Sequence, residues 1–155
     1  MATTVGVNKL SIVNADTGGT TIAFPDVCKT PTPGGPVPIP YPNIARSADT
    51  AKGTKRVKVD GKPVCIATSN FSTSTGDEAG TAGGGVASSK IKGKAEFVNY
   101  PFDVKFEGKG VPRTFNPMVH NQKNTPPFPL LQKPVISLPK KAGDVECVCC
   151  KKKLG

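Results

Sequence analysis

The sequence predicts a mainly β fold: a small pseudo-threefold cone or prism of short β-hairpins joined by long loops rich in proline and glycine. Three observations carry this. Seventeen glycines and sixteen prolines fill about a fifth of the 155 residues, against a globular average of about 12%. Aromatic residues make up only 6% and tryptophan is absent, which excludes a thick, multi-layer core. Turn signals recur between short alternating runs, most clearly in "KVDGKPV" (58–64) and "KFEGKGV" (105–111), which align residue for residue. The length suits one domain, read as residues 1–138, followed by a basic, cysteine-bearing tail over 139–155.

In chain order, "KLSIVNADTGGTTIAF" predicts a first hairpin, with strands over 10–13 and 20–24 and a turn over 16–19. The stretch over 24–43, "FPDVCKTPTPGGPVPIPYPN", holds seven prolines. Pro36, Pro38, Pro40 and Pro42 alternate with Val37, Ile39, Tyr41 and Asn43; each proline fixes φ and extends the residue before it, so this run is polyproline-II-like or an edge strand. Asp60-Gly61 sets a second hairpin. A small-residue loop follows through "GTAGGG" (80–85), which lacks the Gly-Lys-Ser/Thr of a phosphate loop. Val98, Tyr100, Phe102, Val104 and Phe106 recur with period two before the Glu107-Gly108 turn, predicting a strand with one buried face. Each hairpin leads into a loop, "PDVCKTP", "TSNFSTSTGDE" or "TFNPMVHN", and three such units can wrap around a common axis.

The net charge is +10. Residues 140–155 hold five lysines against Asp144 and Glu146, which is +3, and the other +7 is spread over 1–139. Single-strand nucleic-acid binders interleave aromatics with basic residues, whereas here the aromatics follow a strand period, so no nucleic-acid partner is expected. No apolar run reaches the roughly 18 residues of a membrane span. The N-terminus lacks the pattern of a secretory signal. A cytoplasmic start is expected, with any export by a route that needs no signal peptide.

Five cysteines, three of them in "CVCC", do not form the spaced even set of a disulfide framework. Cys28 and His120 fall in loops that a threefold wrap brings to one end, and thiolate and imidazole are preferred zinc ligands. Cys65, and Cys147 with Cys150 at C-x-x-C spacing, are weaker metal candidates. A Cys28–His120 nucleophile pair lacks an orienting partner, so no catalytic residue is assigned and the protein is expected not to be an enzyme.

The stretches "FPDVCKTPTPGGPVPIPYPNIA", "SADTAKGTKRVKVDGKPV", "SNFSTSTGDEAGTAGGGVASSKIKGKAEFVNYPFDVKFEGKGVPRTFNPMVHNQKNT" and "PPFPLLQ" strongly resemble the PAAR-like family of type VI secretion systems, from about residue 5 to 136. The resemblance implies a non-enzymatic spike tip: one copy capping a VgrG-type spike trimer and sharpening it for membrane puncture. An effector or adaptor protein is an implied partner, and membrane contact is transient. It also implies a cytoplasmic protein that leaves through the secretion apparatus when the spike fires. Related proteins hold zinc near the point with histidines and a cysteine, which carries over here to Cys28 and His120. This chain has one histidine, so Cys65 or the tail cysteines would have to complete four ligands. The competing reading is a small zinc-dependent or basic binding module acting through the "CVCCKKK" tail.

Overall fold

The computed structural model describes residues 3–134, and over them the chain is mainly β. Its strands in order are β1 (Gly6–Val7), β2 (Leu10–Ser11), β3 (Thr20–Thr30), β4 (Val37–Arg46), β5 (Thr50–Ala51), β6 (Lys58–Val59), β7 (Lys62–Pro63), β8 (Asn70–Phe71), β9 (Gly84–Gly85), β10 (Ala95–Phe97), β11 (Lys105–Phe106), β12 (Lys109–Gly110), β13 (Pro117–Val119) and β14 (Phe128–Pro129). One 3-10 turn spans Ser47–Asp49. The expected tail over 139–155, with Cys147 and Cys150, lies outside the described residues.

An eleven-residue unit occurs three times, at 7–17, 59–69 and 106–116. Each copy opens with a two-residue hairpin turn whose residues both have positive φ: Asn8 and Lys9 (51° and 68°), Asp60 and Gly61 (51° and 80°), Glu107 and Gly108 (51° and 78°). That geometry matches the right-handed twist of the flanking strands, giving the pairs β1–β2, β6–β7 and β11–β12. One residue past each hairpin sits a fully buried aliphatic, Ile12, Val64 or Val111. A four-residue turn ends each copy. In it the side chain of the fourth residue accepts from the first N–H: Thr17 to Asn14 at 3.3 Å, Ser69 to Ile66 at 2.8 Å, Asn116 to Arg113 at 2.7 Å.

The three units close into a ring through backbone hydrogen bonds. Cys65 N–H donates to the Val13 carbonyl (2.8 Å), Ala67 N–H to Gly110 (2.8 Å) and Thr114 N–H to Ser11 (3.0 Å). A second ring joins each hairpin tip to the segment leading into a neighbouring hairpin. The Asp60 carboxylate accepts from Thr3 and Thr4, Glu107 accepts from the N–H groups of Lys55 and Arg56, and the Asn8 amide donates to Asp103. Inside this end, Val7, Ile12, Val59, Val64 and Val111 form one apolar cluster, with Val104 and Phe106 packed against it.

The next residue along two of these strands enters a second cluster: Val13, Ala45, Cys65, Phe71, Ala95, Phe97, Met118 and Leu130. It is backed by a five-stranded sheet in the order β14-β13-β10-β8-β5. Phe71 and Phe97 meet edge to face, centroids 5.9 Å apart. Pro38, Pro40 and Pro42 lie on β4, the edge strand of a three-stranded sheet ordered β4-β3-β9, as their missing N–H groups require; residues 24–30 belong to the central strand β3.

Two expectations are corrected. The first hairpin turns at Asn8-Lys9, not over 16–19; strand β3 instead pairs with β4 and β9. The period-two run before Glu107 is not one strand. Its first four members lie between β10 and β11 and Phe106 falls in β11; Val98, Tyr100 and Phe102 are 53%, 39% and 87% exposed. Alternation decides burial only where a partner strand covers one face, and residues 98–104 lie outside the strands, joined to neighbouring described segments by backbone–backbone hydrogen bonds only at their ends, Val98 N–H to the Pro117 carbonyl and Val111 N–H to the Val104 carbonyl.

Candidate functional site

Strand β3 is bulged between Ala23 and Asp26. Before the bulge Thr21 and Ala23 are buried; after it the phase shifts by one, and Asp26 and Cys28 are buried. One extra residue thus turns a carboxylate and a thiol into the interior. On β4, Asn43 is buried beside them, and the loop after β8 adds Ser74 and Asp77. From β13 the chain enters a turn in which Asn121, Gln122 and Lys123 all have left-handed φ (47°, 55° and 68°), bringing Asn121 and Asn124 to the same point.

The polar atoms converge on Asp26. Its carboxylate accepts from the side-chain amides of Asn43 (2.6 Å), Asn121 (3.4 Å) and Asn124. Asn43 also donates to Ser74 Oγ at 3.0 Å, and Ser74 to the Gly93 carbonyl at 2.6 Å. Asn121 is fixed by the Gly93 N–H (2.9 Å) and the Lys90 carbonyl (2.6 Å). The Lys92 N–H reaches both oxygens of Asp77, at 3.0 and 3.1 Å. The Cys28 thiol lies 3.6 Å from Asp26 Oδ1 and 3.9 Å from Asp77 Oδ2. A Cβ on Gly80 would stand 2.4 Å from the Cys28 Cβ, so the loop closes over the thiol only because residue 80 has no side chain.

Electrostatics follow from this burial. The Cys28 thiol is pushed up to about 12, first by burial and then by the charges of Asp26 and Asp77. Asp77 is raised to about 6 by burial, with Asp26 adding to the rise and the Lys92 N–H opposing it. Donor atoms of Asp26, Cys28 and Asp77 all lie within 4.8 Å of one another, a buried group able to hold a metal ion. The donor chemistry fits a divalent cation: two carboxylates supply negative charge, and a cation at their side would turn the thiol into a thiolate ligand.

The residues expected from sequence fall as follows. Cys28 is inside the group. His120 is fully buried beside it, its ring pulled down to about 4 by desolvation, with Asp26 acting in the opposite sense. Its Nε2 pairs with Thr21 Oγ1 at 3.2 Å, and its Nδ1 has no formed hydrogen bond among the described residues. Cys65 sits in the apolar core, 3.6 Å from Thr50 Oγ1. The sequence reading missed Asp26, Asp77 and the three asparagines. Asp26 had a usable signal, since residues i and i+2 of a strand share a face.

The chain matches the family model described as "Toxin PAAR-like domain" over residues 19–127. It is 42% identical over 147 residues to the DNase toxin Tse7 of Pseudomonas aeruginosa, covering 88% of this chain and 38% of that protein. The chain therefore spans well under half the length of the curated relative it matches. No solved structure matches it. These findings overturn the expectation that the protein is not an enzyme. That expectation rested on a missing catalytic group in a chain that proves to match only part of a protein named for DNase activity. Among the described residues, no helix is long and apolar enough to cross a membrane.

Proposed function

The chain belongs to the toxin PAAR-like domain family, and from that premise we propose that it is a DNA-degrading toxin carried on a secretion spike. Its PAAR-like fold caps the blunt end of a VgrG-type trimer as a single copy, in the manner of type VI secretion. The observation that supports capping is the hairpin end. Three equivalent hairpins in a closed ring offer an approximately threefold face from one chain, which is what a symmetric trimer's end requires of a single-copy partner. Delivery would take the protein from the producing cell into a target cell, with any effector or adaptor riding on the same spike. The PAAR-like spike-tip domain is assigned to residues 1–138 of the sequence.

At the opposite, polar end, Asp26, Cys28 and Asp77 are assigned as ligands of a divalent cation, with zinc preferred because it accepts sulfur and carboxylate oxygen together. When bound, the ion would tie β3 to the loop after β8. His120 stands next to this set, and Cys65 serves the apolar core.

Capping is tested by removing the ring carboxylates that hold the hairpins in place. The double variant Asp60→Ala/Glu107→Ala, confirmed folded by its β-rich circular dichroism, should lose co-elution with a cognate VgrG trimer. Undiminished co-elution would remove the hairpin end from the interface. The toxin reading is tested separately, by incubating the purified protein with plasmid DNA and following its breakdown.

A further inference from the structure

The hairpin end carries exposed lysines on all three of its hairpins, in pairs on two of them. In the second and third hairpins, equivalent positions hold lysine: Lys58 and Lys105 open them, and Lys62 and Lys109 follow the turns. All four are exposed. In the first hairpin those positions are Gly6 and Leu10. The carboxylates at this end are engaged within the ring. Asp60 accepts from the Thr4 N–H (3.0 Å), Glu107 from the Arg56 N–H (2.9 Å) and Asp103 from the Asn8 amide (3.2 Å). Of the four lysines, Lys62 also reaches Asp16 at 3.9 Å and Lys109 reaches Thr68 Oγ1 at 3.4 Å. Two hairpins therefore carry a lysine pair, and the first carries one exposed lysine, Lys9, at its turn.

We propose that these two lysine-bearing sides dock against carboxylates on an acidic end face of the spike trimer. The inference rests on the capping reading above and names the chemistry of the partner. Individual exposed lysines contribute little binding energy. Placed at repeated positions of one face, they accelerate and orient association and make it salt-dependent. Equivalent placement in a pseudo-threefold ring spaces the two pairs to meet the same acidic group on two neighbouring, identical subunits. It does not form the continuous strip that a nucleic-acid backbone would follow. The third subunit's acidic group meets the Gly6–Leu10 side, whose one lysine is Lys9, so a single cap leaves one of three equal sites without a lysine pair.

The test is a binding titration of the protein with purified VgrG trimer, at salt from about 50 to about 500 mM, across which the Debye length falls severalfold. Wild type, Lys62→Glu/Lys109→Glu and Arg46→Glu on β4 are compared, with poly-glutamate and duplex DNA as further probes. The expected result is affinity falling about tenfold or more with salt and by a similar factor in the double variant. Arg46→Glu should stay within about twofold, the scale of an isolated surface charge. A trimer complex indifferent to salt and to the double variant would overturn the acidic-face proposal and leave capping standing. No trimer complex at any salt would remove capping; lysine-dependent capture of poly-glutamate would then keep an acidic partner for this face, and its absence would end the proposal. Duplex DNA bound as tightly as the trimer, through the same lysines, would replace the acidic protein partner with nucleic acid.

Discussion

Asp60, at the tip of the second hairpin, holds Thr4 in the segment leading into the first: its Oδ2 accepts from the Thr4 N–H at 3.0 Å and its Oδ1 from Thr4 Oγ1 at 2.5 Å. Glu107 repeats the relationship with Lys55 and Arg56, and Asn8 repeats it with Asp103 through an amide donor. Residues more than fifty positions apart thus lock the three units into one ring.

These contacts hold the Asp60 carboxyl below its ordinary value through the Thr4 hydroxyl and N–H, and Glu107 through the Arg56 and Lys55 N–H groups. Their folded pKa values lie below the unfolded ones, so their contribution is present above the ordinary carboxylate range and lost as pH falls through the folded values. Asp60→Asn should lower the melting temperature at neutral pH, and its difference from wild type should shrink toward zero in acid. Thermal melts at about pH 7 and about pH 3, on either side of the carboxylate range, check this. A difference that persists unchanged in acid would show that the carboxylate's charge plays no part.

Lys9 occupies, at φ 68°, the position that Gly61 and Gly108 fill in the other two turns. A left-handed residue with a Cβ is disfavoured there, so Lys9→Gly should stabilise the protein by about 1 kcal/mol, a rise of roughly 2–4 °C in Tm. An unchanged or lowered Tm would mean that the Lys9 side chain contributes more than its backbone costs.

The same position explains what was legible in the sequence. Asp60-Gly61 and Glu107-Gly108 announce their hairpins because glycine marks the left-handed turn. Asn8-Lys9 makes an equivalent turn without that mark, so the sequence does not reveal the first copy of the unit and points to a hairpin further along the chain. The proline run was readable as an edge strand because proline's missing N–H admits few alternatives. The candidate site was only half readable. Cys28 and His120 stand out by residue type, but Asp26 turns inward only through a bulge, and Asp77, Asn121 and Asn124 arrive by loops whose path depends on tertiary packing. The exposed Val98, Tyr100 and Phe102 show the converse: periodicity outside a strand ladder does not by itself bury a face.

His120 is the chain's one histidine, so its titration can be followed without ambiguity. Burial lowers it from 6.5 to about 4. The unfolded chain then binds the proton more readily between those values, and stability falls as pH drops through that window, by up to roughly 3 kcal/mol. An NMR titration should show the imidazole neutral at pH 5, and His120→Gln should flatten this part of the stability profile. A midpoint near the ordinary histidine value would contradict the buried, neutral ring.

Asp26 accepts from three side-chain amides, so Asp26→Ala leaves several buried donors unpaired. It should cost about 3 kcal/mol or more, whereas Asn43→Ala should cost about 1 to 2 kcal/mol. Gly80→Ala drives a methyl into Cys28 and should destabilise by roughly 1–3 kcal/mol. Denaturant unfolding ranks the three. For the metal, Cys28→Ser and Asp77→Asn should each lower the zinc that copurifies with the protein. Zinc content unaffected by both would move the ion elsewhere.

The most direct measurement of the central claim is the light-scattering mass of the protein mixed in excess with a cognate VgrG trimer. One copy per three spike chains is the predicted stoichiometry, because one chain already supplies all three hairpins of the docking face. Three copies per trimer, or a protein that stays free at concentrations well above those in the cell, would contradict it.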